Sequence, residues 1–65
     1  MFKTLDAFVQ FAATAIEKSG GAERVHTAFE MNCTPQVRDE VYEFADPRSP
    51  EPFRSALTNL GVKGY

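Results

Sequence analysis

Glycine and proline occur at only four places in this chain: the pair Gly20-Gly21, Pro35, the run from Asp46 to Pro52, and Gly61 with Gly64. Glycine supplies the left-handed backbone that ends a helix, and proline cannot continue one, so each place is a break. The breaks leave four segments of helical length. With 65 residues in all, the segments make one small domain, residues 1–65. A chain of this size buries only about 60% of the surface it exposes when unfolded. It has no room for a substrate domain beside a cofactor domain.

The first segment runs from Thr4 to Lys18. Thr4 is a helix N-cap, Asp6 suits the first turn, Lys18 suits the last, and Gly20 or Gly21 supplies the stop. Its apolar residues, Leu5, Phe8, Val9, Phe11, Ala12, Ala13, Ala15 and Ile16, fill an arc of about 200°, twice the roughly 100° a surface helix needs. With three short segments left to cover that arc, part of it is expected at a homodimer interface. Phe8, Phe11, Ala12 and Ala15 are the residues concerned.

The second segment, Ala22 to Cys33, reads two ways. A helix groups Ala22, Val25, Ala28 and Phe29 on one face. A strand alternates Val25, Thr27, Phe29, Met31 and Cys33 against Arg24, His26, Ala28, Glu30 and Asn32. The helix implies a mainly α bundle of three or four short helices, which is the expected fold. The strand implies an α+β alternative, with a hairpin from residues 23–33 and 40–45 between two helices.

The third segment opens on Thr34-Pro35, an N-cap followed by proline at the first helical position. Val37, Val41 and Phe44 then recur at i, i+4 and i+7, predicting a helix to about Ala45. The fourth has a cap, a first-turn proline and a first-turn acid in Ser49-Pro50-Glu51-Pro52. Its apolar stripe is Phe53, Ala56, Leu57 and Leu60, and Gly61-Val62 is suited to a Schellman stop.

Composition narrows the chemistry. The net charge is −2 and the isoelectric point about 5.2, whereas nucleic-acid binders usually carry a basic surplus. The single cysteine, Cys33, excludes an internal disulfide and a thiolate cluster. His26 and Cys33 are the only His and Cys. On a helix they would stand about 10 Å apart along the axis, too far for a nucleophile and its base. No metal, cofactor or catalytic site is expected. The longest charge-free stretch, Ala7 to Ile16, is too short to span a bilayer, and the N-terminus lacks a signal-peptide pattern. The reading is a cytoplasmic protein complete from Met1. A free-standing product of this length suits a phage or mobile-element gene.

Charge is unevenly placed. Residues 34–46 hold Asp39, Glu40, Glu43 and Asp46 against Arg38, a net of −3, while the rest of the chain sums to +1. Asp39, Glu43 and Asp46 share a helical face opposite Val37, Val41 and Phe44. With Tyr42 as an aromatic anchor, Asp39, Glu40, Glu43 and Asp46 are expected to dock on another protein with a basic surface. The chain then reads as a small non-catalytic regulator or inhibitor.

The stretch AIEKSGGAERVHTAFEMNCTPQV, Ala15 to Val37, resembles the helix-turn-helix of small phage Cro-like repressors. Ala28, Met31, Asn32, Cys33 and Thr34 fill the mid-helix alanine and the turn, and SPEPFRSALTNLGV looks like the closing helix of such domains. The resemblance covers about two thirds of the chain. It implies a DNA-binding regulator as the alternative function, with Gln36 and Arg38 facing the groove. The four acids on the same helix oppose phosphate and favour the protein-binding reading.

Overall fold

A computed structural model describes residues 1–65 and turns each segment into a helix: α1 (Leu5–Ala15), α2 (Gly21–Met31), α3 (Pro35–Glu43) and α4 (Pro52–Asn59). The fold is mainly α, a bundle of four short helices with no strand. The α+β alternative is overturned. Residues 23–31 lie in α2, and 40–45 lie in α3 and just beyond it. Val25, Ala28 and Phe29 are buried together at helical spacing, whereas a strand face would have put Thr27 and Met31 beside Val25 and Phe29. The one β-type contact is a parallel bridge between Phe2 and Cys33. It clips the N-terminal residues across the turn that joins α2 to α3.

The helix starts follow the capping chemistry at two of the four. Thr4 Oγ1 accepts from the Ala7 N–H at 3.2 Å, and Thr34 Oγ1 accepts from the Val37 N–H at 3.2 Å, with Pro35 opening α3. The start of α4 differs from expectation. Ser49 caps nothing helical; its Oγ accepts from the Glu51 N–H at 3.1 Å in a local turn. The reason is the second proline. A residue before proline is pushed out of the helical region. Glu51 takes φ −125°, ψ 82°, so the helix cannot begin before Pro52. At its end, the Val62 N–H reaches the Leu57 carbonyl at 2.9 Å and the Gly61 N–H reaches Thr58 at 3.1 Å, with Gly61 at φ 95°. That is the expected Schellman stop, and Val62 is buried.

The two adjacent glycines do different jobs. Gly20 sits at φ 72° and precedes α2. Gly21 lies against the end of α1. A Cβ there would run into the Ala15 carbonyl oxygen and come within 2.7 Å of Ile16 Cα. Lys18 falls in this turn, beyond α1, and not in its last turn.

The core is wholly apolar. Phe8, Ala12, Ala15, Val25, Ala28, Phe29, Cys33, Val37, Val41, Ala56, Leu57 and Val62 are buried, with no buried polar side chain. Aromatic rings run through it in a continuous series. Phe11 packs on Phe2, Phe2 on Phe8, Phe8 on Phe29, and Phe29 on both Tyr42 and Phe53. Phe44 stands outside the series.

Candidate functional site

The solvent face of α3 carries most of the residues singled out by charge. Val37 and Val41 turn inward with no exposed surface, which fixes the rotation of the helix. Asp39 and Glu43, one turn apart on the opposite side, are therefore exposed, and Glu40 is half-buried at the flank. None of the three carboxylates takes part in an ion pair. The two pairs in the chain are His26–Glu30 at 3.3 Å and Arg54–Glu51 at 3.2 Å.

Three neighbours depart from the sequence reading. Phe44 does not extend the inward stripe. The last residue of α3 is Glu43, Phe44 is its C-cap, and its ring is 42% exposed, with Ala45 half-buried instead. Asp46 does not share the acid face. It lies beyond the helix end, where its Oδ1 accepts from the Arg48 N–H at 2.9 Å and closes a turn. Tyr42 is 48% exposed and meets Phe29 at 5.3 Å and 89°, so it leans toward α2 and α4 along one edge of the acid stripe. The face that results is a short acidic stripe with the half-exposed Tyr42 ring at one edge, and Phe44 is exposed at the end of the helix.

Arg38, the only base on α3, is folded back. Its Nη1 donates to the Glu30 carbonyl at 3.1 Å, satisfying an acceptor in the last turn of α2, and the side chain is half-buried. It does not point outward as the groove-facing reading expects. Gln36 is exposed in the first turn of α3. The helix–turn–helix connectivity itself is present, with three residues, Asn32 to Thr34, joining α2 to α3. Of the residues that carry that resemblance, Ala28 and Cys33 are buried and Met31 is 72% exposed.

The residues expected at a dimer interface are placed differently. Phe8, Ala12 and Ala15 lie in the core of a single chain, covered by its other elements, and only Phe11 keeps some surface. Of the wider apolar arc, Leu5, Val9 and Ile16 are half-buried as well, and Ala13 is exposed. The radius of gyration is 10.6 Å, close to the roughly 11 Å of a compact chain of this length.

His26 and Cys33 occupy unrelated surroundings. His26 is exposed, pairs with Glu30 and meets Phe53 edge-on at 5.7 Å. Cys33 is buried beneath the N-terminal bridge, and burial pushes its thiol above the ordinary value, with Arg38 and the N-terminal amine pulling the other way.

A second surface feature has no counterpart in the charge pattern. A cleft of about 270 Å³ is lined by His26, Tyr42, Glu51, Phe53, Arg54 and Tyr65, with Pro52 at its edge. Its walls come from α2, α3, the start of α4 and the tail, which lie up to 39 positions apart between His26 and Tyr65. No local spacing signals it. The one hint is aromatic content beyond what the helical stripes use.

No helix is long and apolar enough to cross a membrane. No protein-family profile, curated protein or solved structure matches this chain.

Proposed function

We propose that this chain is a small non-catalytic regulator or inhibitor that acts by binding another protein through the exposed face of α3. One observation carries the reading: Asp39 and Glu43 form an unpaired acidic stripe on a helix whose C-terminal end keeps two aromatic residues, Tyr42 and Phe44, 48% and 42% exposed. Interface centres favour aromatic residues, and charge at the rim steers association. Tyr42 is held by Phe29 below it, so little side-chain freedom is lost on docking. The partner surface that fits is basic.

The test is capture of the partner from the source cell, followed by binding kinetics with Asp39→Lys/Glu43→Lys. The reversed pair slows association and removes its salt dependence, while Phe44→Ala and Tyr42→Ala mainly speed dissociation. A reversed double variant that stays folded and binds with unchanged affinity sinks the reading.

The helix–turn–helix connectivity favours a second reading, a Cro-like DNA-binding regulator using Gln36 and Arg38. With Arg38 bonded to the Glu30 carbonyl, α3 offers phosphate three acids and no free base. We expect duplex binding no tighter than non-specific levels at physiological salt. A sequence-specific shift at nanomolar protein reverses the order of the two readings.

A further inference from the structure

We propose that the aromatic cleft beside α3 receives an arginine side chain of the basic partner, an assignment that rests on the protein-binding reading above. The cleft is built of rings set at angles to one another. Phe53 lies 4.5 Å from Phe29, Tyr65 meets Phe53 at 5.3 Å and 90°, and Tyr42 meets Phe29 at 5.3 Å and 89°. Two tyrosine rings thus stand perpendicular to the phenylalanines beside them, giving a cation several π surfaces within reach.

The chain's own Arg54 shows what the cleft accepts. Its guanidinium carbon lies 5.7 Å from the Tyr65 ring centroid, and its Nε is 3.2 Å from Glu51 Oε2. A guanidinium is therefore already held here by an aromatic face together with a carboxylate. Arg54 and Glu51 are both more than half exposed. Such a surface pair contributes little and yields readily to a competitor. Burial is the main cause that pushes the Tyr65 phenol up, with the Arg54 guanidinium pulling the other way ahead of smaller upward contributions from Glu51 and Glu30, so Tyr65 keeps its neutral ring face beside a guanidinium.

Size and shape choose the ligand. About 270 Å³ lies below the roughly 300–1,000 Å³ of small-molecule pockets and suits a single side chain. A flat guanidinium stacks on a ring while forking onto a carboxylate, which an ammonium does not do. Tyr42 belongs both to the cleft wall and to the edge of the acid stripe. A basic segment lying along α3 can therefore place one arginine in the cleft while its other charges face Asp39 and Glu43.

The experiment titrates the intact chain with a blocked glycine peptide carrying one arginine, against the same peptide carrying citrulline, its neutral isostere. Binding is read from NMR shifts of the Tyr42, Phe53 and Tyr65 rings. The arginine peptide moves these resonances and the citrulline peptide does not. Arg54→Gln removes the internal competitor and tightens the arginine peptide about two- to fivefold, the range of a cation–π contact at an exposed site. Lys18→Gln, which removes the same charge outside the cleft, leaves it unchanged. Tyr65→Leu and Glu51→Gln each weaken it by a similar factor. Equal binding of citrulline, ring shifts confined to other residues, or an Arg54→Gln variant that binds no tighter overturns the proposal.

Asp39→Lys/Glu43→Lys separates this inference from the reading it rests on. That variant leaves the single-arginine peptide nearly unaffected while weakening the full partner. If the full partner is indifferent to the reversal, the α3 reading fails. If the peptide titration fails while the partner still responds, the cleft assignment fails alone.

Discussion

Helices α1 and α3 are similar in length and start with the same threonine cap, yet they meet solvent in opposite ways. The apolar arc of α1 is about twice what a surface helix needs. The fold uses that surplus by packing α2, α3 and the Phe2 ring around it. The inward stripe of α3 is reduced to Val37 and Val41, and its remaining surface is charge and half-exposed rings. Hydrophobic width reported how central an element is within its own chain. The charge stripe reported which side of α3 faces solvent. The sequence reading placed interfaces on both helices; Phe8, Ala12 and Ala15 of α1 are buried within one chain, whereas Asp39 and Glu43 of α3 are exposed.

The largest expected effect tests the first half of that contrast. Phe8→Ala removes a fully buried ring from the middle of the aromatic series and costs about 3–5 kcal/mol. At about 0.05–0.15 kcal/mol per residue, that equals much of the stability of a 65-residue chain. Chemical denaturation should find the variant largely unfolded, while Phe44→Ala stays within about 0.5 kcal/mol of wild type. Equal effects at the two phenylalanines would erase the distinction between the helices.

A smaller effect probes how closely α2 is packed on α1. Gly21→Ala forces a Cβ into the Ala15 carbonyl and should cost about 2–3 kcal/mol, the upper range of overpacking. Gly20→Ala meets no atom but must hold φ 72°, at a cost of about 1–2 kcal/mol. The order of the two midpoints in urea is the measurement. Thr34→Ala removes the cap that starts α3 and should cost about 1 kcal/mol. Asp39→Lys/Glu43→Lys should shift stability by less than about 0.5 kcal/mol, because neither carboxylate contacts a charged partner. A large loss there would mean that the stripe is structural.

The smallest effect is alkaline. Because burial holds the Cys33 thiol above its ordinary value, the folded state keeps its proton where the unfolded chain has lost it. This contribution is complete below the ordinary thiol value and declines as pH rises through and past it. Tyr65, also raised, adds a decline of the same sign at higher pH. Unfolding free energy followed from neutral to alkaline pH should fall less steeply in Cys33→Ala than in wild type. Parallel curves would show that the thiol is not desolvated.

Much of the architecture was legible because it depends on neighbours in sequence. A threonine at an N-cap, a proline at the first helical position and a glycine at a helix stop act through backbone groups two to five residues away. Thr4, Thr34-Pro35 and Gly61-Val62 therefore did what their chemistry dictates. Val37 and Val41 on the inward face of α3 followed from spacing in the same way, though Phe44 did not join them. The exposure of Asp39 and Glu43 was equally legible, since it is the complement of the Val37–Val41 stripe.

What the tertiary structure alone decided involves partners far apart in the chain or competition between local signals. The choice of helix over strand for residues 23–31 came from packing Val25, Ala28 and Phe29 against α1, because both periodicities were present in the residues. The late start of α4 came from Pro52 overriding the Ser49 cap. Arg38 was withdrawn by a carbonyl eight residues upstream, and Asp46 by the turn after α3. The apolar arc of α1 could not reveal whether its cover was a second copy or its own chain. That depended on how four short helices and Phe2 close around it. The aromatic cleft is the extreme case. His26, Tyr42, Glu51, Phe53, Arg54 and Tyr65 share no spacing that a sequence pattern can carry, and they meet only because α2, α3, α4 and the tail converge there.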